Sequence, residues 1–198
     1  MTNWDAVLVD AVNRVWSGYL TSEGFRLVAV EHGVIELQRD GVLLTLSLYF
    51  DYPGTSPRGL SVGVGIRDEY GRADTVGLWS AIPPDHPAQK HFLGDCATEA
   101  ELDAVLGRLR DNVLPVFAAP LWRDRGLIED LLDRQRAAWD EEHQRQLDQR
   151  HLDQARAAFK EGRFQAAIDH YALAGHGLTA ADKKRLHIAR RETGPTER

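Results

Sequence analysis

Between residues 42 and 66 apolar and polar side chains alternate so strictly that little but sheet can form there. In VLLTLSLYF (42–50), Val42, Leu44, Leu46, Leu48 and Phe50 fall on one face. In LSVGVGI (60–66), Leu60, Val62, Val64 and Ile66 do the same. A strand points successive side chains to opposite sides, so each segment presents one apolar face to a core. Two shorter segments precede them, FRLVAVE (25–31) and VIELQR (34–39), with His32-Gly33 between. Asp40-Gly41 follows and supplies the left-handed backbone of a tight hairpin turn. Connections this short join antiparallel neighbours, which predicts a meander. A fifth strand is expected near 75–82 and is ended by Pro83-Pro84, because proline cannot continue a ladder.

Helical patterns flank these strands. Trp4, Val7, Leu8, Ala11, Val12, Val15, Trp16 and Tyr19 recur at three- and four-residue steps over 4–20, with Asn3 as the cap and Gly24 as the stop. Thr98 caps a second helix running to about 114, with Leu102, Val105, Leu106, Leu109 and Val113 on its buried stripe. Residues 83–97 read as a loop, and Pro115 and Pro120 bracket a break. The expected class is α+β: an antiparallel four- or five-stranded meander flanked by helices, followed by an all-helical C-terminal extension.

Past residue 123 no strand pattern remains. Leu127, Ile128, Leu131, Leu132 and Trp139 form a short apolar stripe, after which Leu147 is the one apolar residue between 140 and 151. Such a polar helix is supported by i,i+4 ion pairs, here Asp130–Arg134 and Glu141–Arg145. The expected organisation is an α+β body over 1–120, a helical arm or linker over 121–150, and a helical unit over 151–198.

The terminal unit carries the most specific motif. In KEGRFQAAIDHYALA (160–174), Gly162 is followed at set spacings by Phe164, Ala167, Tyr171 and Ala174. Glycine ends one helix without a Cβ penalty, a small residue lets two helices approach, and the aromatics fill the groove between them. The segment, about 149–190, resembles a tetratricopeptide-repeat hairpin, with Thr179 capping a further helix whose Leu186 and Ile188 can cover an apolar face. That resemblance implies protein or peptide binding, with Phe164, Tyr171 and Arg163 as the partner contacts. A single unit of about 34 residues cannot bury its own faces. It must pack on the body, on another copy or on a partner.

Composition narrows the function. The chain has 198 residues, 43% hydrophobic and 27% charged, with net charge −6. Residues 1–120 hold 9 Lys/Arg against 16 Asp/Glu, net −7, and residues 121–198 hold 15 against 14, net +1. An acidic body argues against nucleic acid, which needs a basic footprint, and favours a basic protein partner. A single cysteine, Cys96, allows no internal disulfide, which fits a reducing compartment. MTNWDAVLVDAV carries Asp5 and no basic stretch, unlike a secretory signal, and no apolar run is long enough to cross a bilayer. The expectation is a cytoplasmic protein with no membrane partner, and a homo-oligomer is compatible with the lone repeat.

Catalytic motifs are missing from the sequence. There is no G-x-S-x-G elbow, and Gly59, Gly63 and Gly65 do not make a phosphate loop. In a strand such glycines let a ring such as that of Tyr49 approach the backbone. Asp51, Asp68, Glu69 and Asp74 sit near strand ends as turn acids; Lys183, Lys184, Arg185, Arg190 and Arg191 make the last helix basic and could touch phosphate, but Asp182 and Glu192 flank them and basic residues near a helix C-terminus suit its dipole. His86, His91, Asp95 and Cys96 share one loop and are of zinc-ligand type, but their spacing matches no familiar signature. No cofactor and no catalytic residue is expected. The leading reading is a non-enzymatic protein-interaction module. The body's element order and acidity also resemble small α+β immunity proteins of bacteria, and the residue usage suggests a GC-rich bacterial genome. Two alternatives stay open: a small-molecule-binding or metal-dependent hydrolytic enzyme using loop 83–97, and a structural subunit of a larger assembly.

Overall fold

The computed structural model describes residues 2–52, 55–92, 94–175 and 177–194. Leu93 of the predicted loop and residues 195–198 of the predicted terminal unit lie outside the described residues. The chain forms two compact units, residues 1–135 and 136–198, so the division falls inside the segment expected as an arm.

Unit 1 is an α+β domain. Helix α1 (Trp4–Glu23) starts at Asn3, whose side chain accepts from the Ala6 amide, and stops at Gly24, whose φ of 80° is the left-handed cap. Five strands follow: β1 (Arg26–Glu31), β2 (Val34–Arg39), β3 (Val42–Tyr49), β4 (Gly59–Arg67) and β5 (Ala73–Gly77). They form one antiparallel sheet in sequence order, so β1 and β5 are its edges. Both tight turns, His32-Gly33 and Asp40-Gly41, have positive φ at both central residues. That backbone twist matches the twist of the strands it joins.

The alternation places the core. Val42, Leu44, Leu46 and Leu48 of β3 pair with Ile66, Val64, Val62 and Leu60 of β4, and this face is buried. Helix α1 and helix α2 (Glu99–Asn112) pack on each other and bury their stripes in the same core. The Trp16 indole donates to the Leu106 carbonyl at 2.8 Å, and Arg14 grips Asp103 with two bonds of 2.8 Å. Thr98 and Glu101 form a reciprocal capping box at the start of α2. On the other face of the sheet Arg67 pairs with Glu36 at 2.6 Å.

Three departures from the sequence reading have local causes. The fifth strand ends at Gly77 rather than near 82, because residues 78–81 wind into a 3-10 turn that buries Leu78 and lays the Trp79 ring against Gly77. Loop 83–97 contains a second 3-10 turn, Pro87–Phe92. The prolines do not bracket a break: Pro115 lies in a π-type turn (Leu114–Ala118) and Pro120 in the first turn of helix α3 (Ala119–Arg123), where a missing N–H leaves no bond unmade. Asp124, with extended backbone, separates α3 from helix α4 (Arg125–Lys160). Leu121, Trp122, Ile128, Leu131 and Leu132 belong to the core of unit 1, so that core reaches past residue 120.

Unit 2 comprises the remainder of α4, helix α5 (Phe164–Leu173) and helix α6 (Ala180–Thr193). The polar stretch 140–151 is helical throughout. Arg145 pairs with Glu142 at 2.7 Å, closer than with Glu141 at 3.6 Å, and Arg134 donates to the backbone carbonyl of Asp130. A second core gathers Leu152, Ala155, Ala158, Ala167, Tyr171 and Ala174, flanked by Phe159, Leu178 and Leu186. No helix is long and apolar enough to cross a membrane among the described residues.

A candidate protein-interaction surface

The helical unit is closed by a buried charge. Gly162, at φ 73°, turns α4 into α5, and the Ala158 carbonyl accepts from the Arg163 amide at 2.9 Å. Thr179 caps α6 and Asp182, three residues on, completes the capping box. Asp182 is fully buried. Its two oxygens accept from Arg156 of α4 at 2.9 and 2.8 Å, from the Thr179 hydroxyl at 2.6 Å, and from Arg185 at 3.0 Å. The Tyr171 hydroxyl donates to the same carboxylate at 3.5 Å. The Arg156 guanidinium, helped by Thr179, holds the Asp182 carboxyl well below the usual carboxylate range despite its burial. Packing of Leu186 and the latch at Asp182 mean that α6 covers the inner face of the hairpin.

This placement sorts the three expected contacts. Tyr171, expected as a partner contact, is 1% exposed and sits in the second core with its hydroxyl on Asp182. Phe164 is half-buried and edge-on to Phe159, their centroids 5.6 Å apart. Arg163 is exposed and paired with Glu161 at 2.6 Å. Sequence spacing marks the aromatic positions but not the depth at which α6 buries one of them.

A second surface, on unit 1, is not singled out by the sequence. Tyr49 ends β3 directly opposite Gly59 of β4, and its ring lies where a Cβ at Gly59 would be 3.1 Å away. Trp79 packs so closely on Gly77 that any side chain there would collide with the indole. The two glycines fix the two rings, yet Tyr49 remains 53% and Trp79 55% exposed. With Leu60, Ser61, Phe92 and Arg58 they line a groove of about 290 Å³. Arg58 is held by Asp51 at 2.6 Å. The signal in the sequence is the pairing of an aromatic with a strand glycine. Tyr49 is expected over such a glycine, and the structure puts it over Gly59 rather than Gly63 or Gly65. Gly65 is closed off by β5, whose Asp74 carbonyl occupies the space a side chain would need.

Loop 83–97 contributes Phe92 and Gly94 to the groove, but the loop's zinc-type residues do not line it. His86 is edge-on to Phe117 and its Nδ1 accepts from the Ala88 amide at 3.1 Å. Cys96 is buried, and burial pushes its thiol up to about 11, with Glu101 adding to the rise. Among the described residues no three His, Cys, Asp or Glu side chains are grouped to hold a metal ion. His151 and His170, one on α4 and one on α5, stack with centroids 5.8 Å apart.

No protein-family model, curated protein or solved structure matches the chain.

Proposed function

We propose that this chain is a non-enzymatic protein-interaction module whose docking face is the Tyr49–Trp79 groove of unit 1. The observation that carries this reading is a pair of large aromatic rings, each braced on a glycine and each half exposed, beside an arginine. Tyrosine, tryptophan and arginine dominate binding hot spots, since they offer large contact area with little side-chain entropy to lose. Rings already fixed in place lower the ordering penalty of association. The groove holds one cation, tied to Asp51, and no histidine among its described lining, which suits recognition better than proton transfer.

The partner is a protein of net positive charge. Unit 1 holds 12 Lys/Arg against 20 Asp/Glu, net −8, whereas residues 136–198 hold 12 against 10, net +2. A field of that sign steers basic partners toward unit 1. An immunity or adaptor role in a bacterial system fits such a module, as does the resemblance of the terminal hairpin to a tetratricopeptide repeat.

Co-purification from the native host tests the proposal. The full chain retains a basic partner, and the Tyr49→Ala, Trp79→Ala double variant loses it, each truncation weakening binding by about 2 kcal/mol. A partner retained by the double variant but lost on removing residues 136–198 overturns the groove and returns the contact to Phe164 and Arg163.

A further inference from the structure

Strand β1 is an edge of unusual character. Every one of its six residues is exposed, including Leu27 at 49%, Val28 at 41% and Val30 at 37%. It is bonded to β2 on one side, and its outer side presents a row of backbone donors and acceptors to solvent. Sheet edges are normally blunted by shortness, by proline, by an inward charge or by a bulge, and of these β1 carries a bulge between Leu27 and Ala29. The other edge follows that rule, since β5 is five residues long and carries Asp74. The segment RLVAVE has an unbroken apolar centre instead.

Its ends are oppositely charged, and this makes the strand complementary to itself. In an antiparallel pair of two β1 strands centred on Val28-Ala29, Arg26 of each copy stands opposite Glu31 of the other, and Leu27 opposite Val30. A two-fold axis normal to the sheet demands that opposed residues lie on the same face. In a regular strand Arg26 and Glu31 would lie on opposite faces. The irregularity between Leu27 and Ala29 repairs this. Arg26, Ala29 and Glu31 pair with Gln38, Glu36 and Val34 of β2, which share one face, while Leu27 and Val30 pair with Leu37 and Ile35, which share the other. The extra residue at the bulge therefore brings the two charges to one face and the two apolar side chains to the other.

The apolar face has somewhere to go. Val9, Val12 and Leu20 of α1, with Phe25, Ile35 and Leu37 and the polar Asn13, Ser17 and Thr21, line an open groove of about 120 Å³ between the helix and the first two strands. Leu27 already borders it. A neighbouring strand carrying Leu27 and Val30 on the same face would extend apolar cover over its mouth.

We propose that two copies of this chain associate edge to edge through β1, antiparallel about Val28-Ala29, joining two five-stranded sheets into one of ten strands. The occupant is a second copy because the charge pattern, the face pattern and the bulge position all match the strand to its own reverse. None of these residues borders the Tyr49–Trp79 groove, so this association and partner binding stand or fall separately.

Sedimentation equilibrium of the full chain tests it, with circular dichroism confirming that each variant is folded. The wild-type mass rises from one copy to two across a dilution series. Arg26→Glu alone, or Glu31→Arg alone, sets like charges opposite each other twice and weakens dimerisation about tenfold. In a mixture of the two, the Arg26→Glu copy is acidic at both ends of β1 and the Glu31→Arg copy is basic at both. Every facing pair is then again of opposite charge, and the mixture restores a dimer as tight as the wild type. Val30→Lys places a charge on the face toward the groove and abolishes association. A one-copy mass at every concentration overturns the proposal, as does a wild-type mass for either single variant or a mixture no tighter than its components.

Discussion

At the scale of single residues, Asp182 bears most on unit 2. A buried carboxylate answered by two arginines, a hydroxyl and a phenol is stable only while all partners stay in place. Asp182→Ala removes the acceptor of the Thr179 and Tyr171 hydroxyls and leaves Arg156 with Asp153 alone, which destabilises unit 2 by about 2 kcal/mol, read as faster hydrogen exchange across α5 and α6. The pH dependence follows from the lowered folded pKa. The contribution of Asp182 is complete above its unfolded pKa of about 3.9 and is lost as pH falls through that value toward the folded one. Urea midpoints of unit 2 fall below about pH 4 in the wild type, and in Asp182→Ala that part of the fall disappears. The capping half of this arrangement is legible in the sequence, because Thr179 and Asp182 stand three residues apart. The other half is not: Arg156 is 26 residues away, and only packing shows which arginine a buried acid will take. Tyr171 illustrates the same limit: a further helix covering an apolar face is expected from Thr179 and Leu186, but nothing in the spacing says that it brings Asp182 onto the Tyr171 hydroxyl.

Elements are the most legible scale, wherever periodicity is strong. The residues that alternate over 42–66 are those that pair across β3 and β4 and fill the core. Legibility fails where a local pattern competes with a turn. TVGLWSAI alternates as a strand should, but burying Leu78 and seating Trp79 on Gly77 takes the chain into a 3-10 turn. The prolines mislead for a related reason, since at a helix start proline fits as well as in a break. Two glycines make the contrast between connection and contact measurable. Gly162 has positive φ and open space around its Cβ position, so Gly162→Ala incurs only backbone strain, about 1 kcal/mol. Gly65 has the Asp74 carbonyl and Thr75 in that space, so Gly65→Ala must push β5 from β4 and costs several times more, about 3 kcal/mol. Each variant lowers the denaturant midpoint of its own unit, unit 2 for Gly162→Ala and unit 1 for Gly65→Ala, and the loss of stability relative to the wild type is larger for Gly65→Ala.

For the whole molecule, the two units carry separate cores and opposite net charge. The compositional change near residue 123 announces this duality. It does not place the boundary, because the apolar stripe over 121–132 reads equally as the start of an arm or the end of a body. Each unit is predicted to unfold as its own cooperative step, with unit 2 the first to go, since 63 residues bury only about 60% of the surface their unfolded chain exposes. A chain ended at Gln135 retains the upper transition and loses the lower one. The single thiol gives that experiment an internal reporter. Cys96 is sealed in unit 1 and its pKa of about 11 leaves almost no thiolate at neutral pH. A maleimide or disulfide reagent therefore meets no reactive sulfur until unit 1 opens, and the unfolding of unit 2 passes unrecorded. Labelling kinetics of the unmodified wild-type chain become a clock for one half of the protein, with no engineered cysteine and no other thiol to subtract.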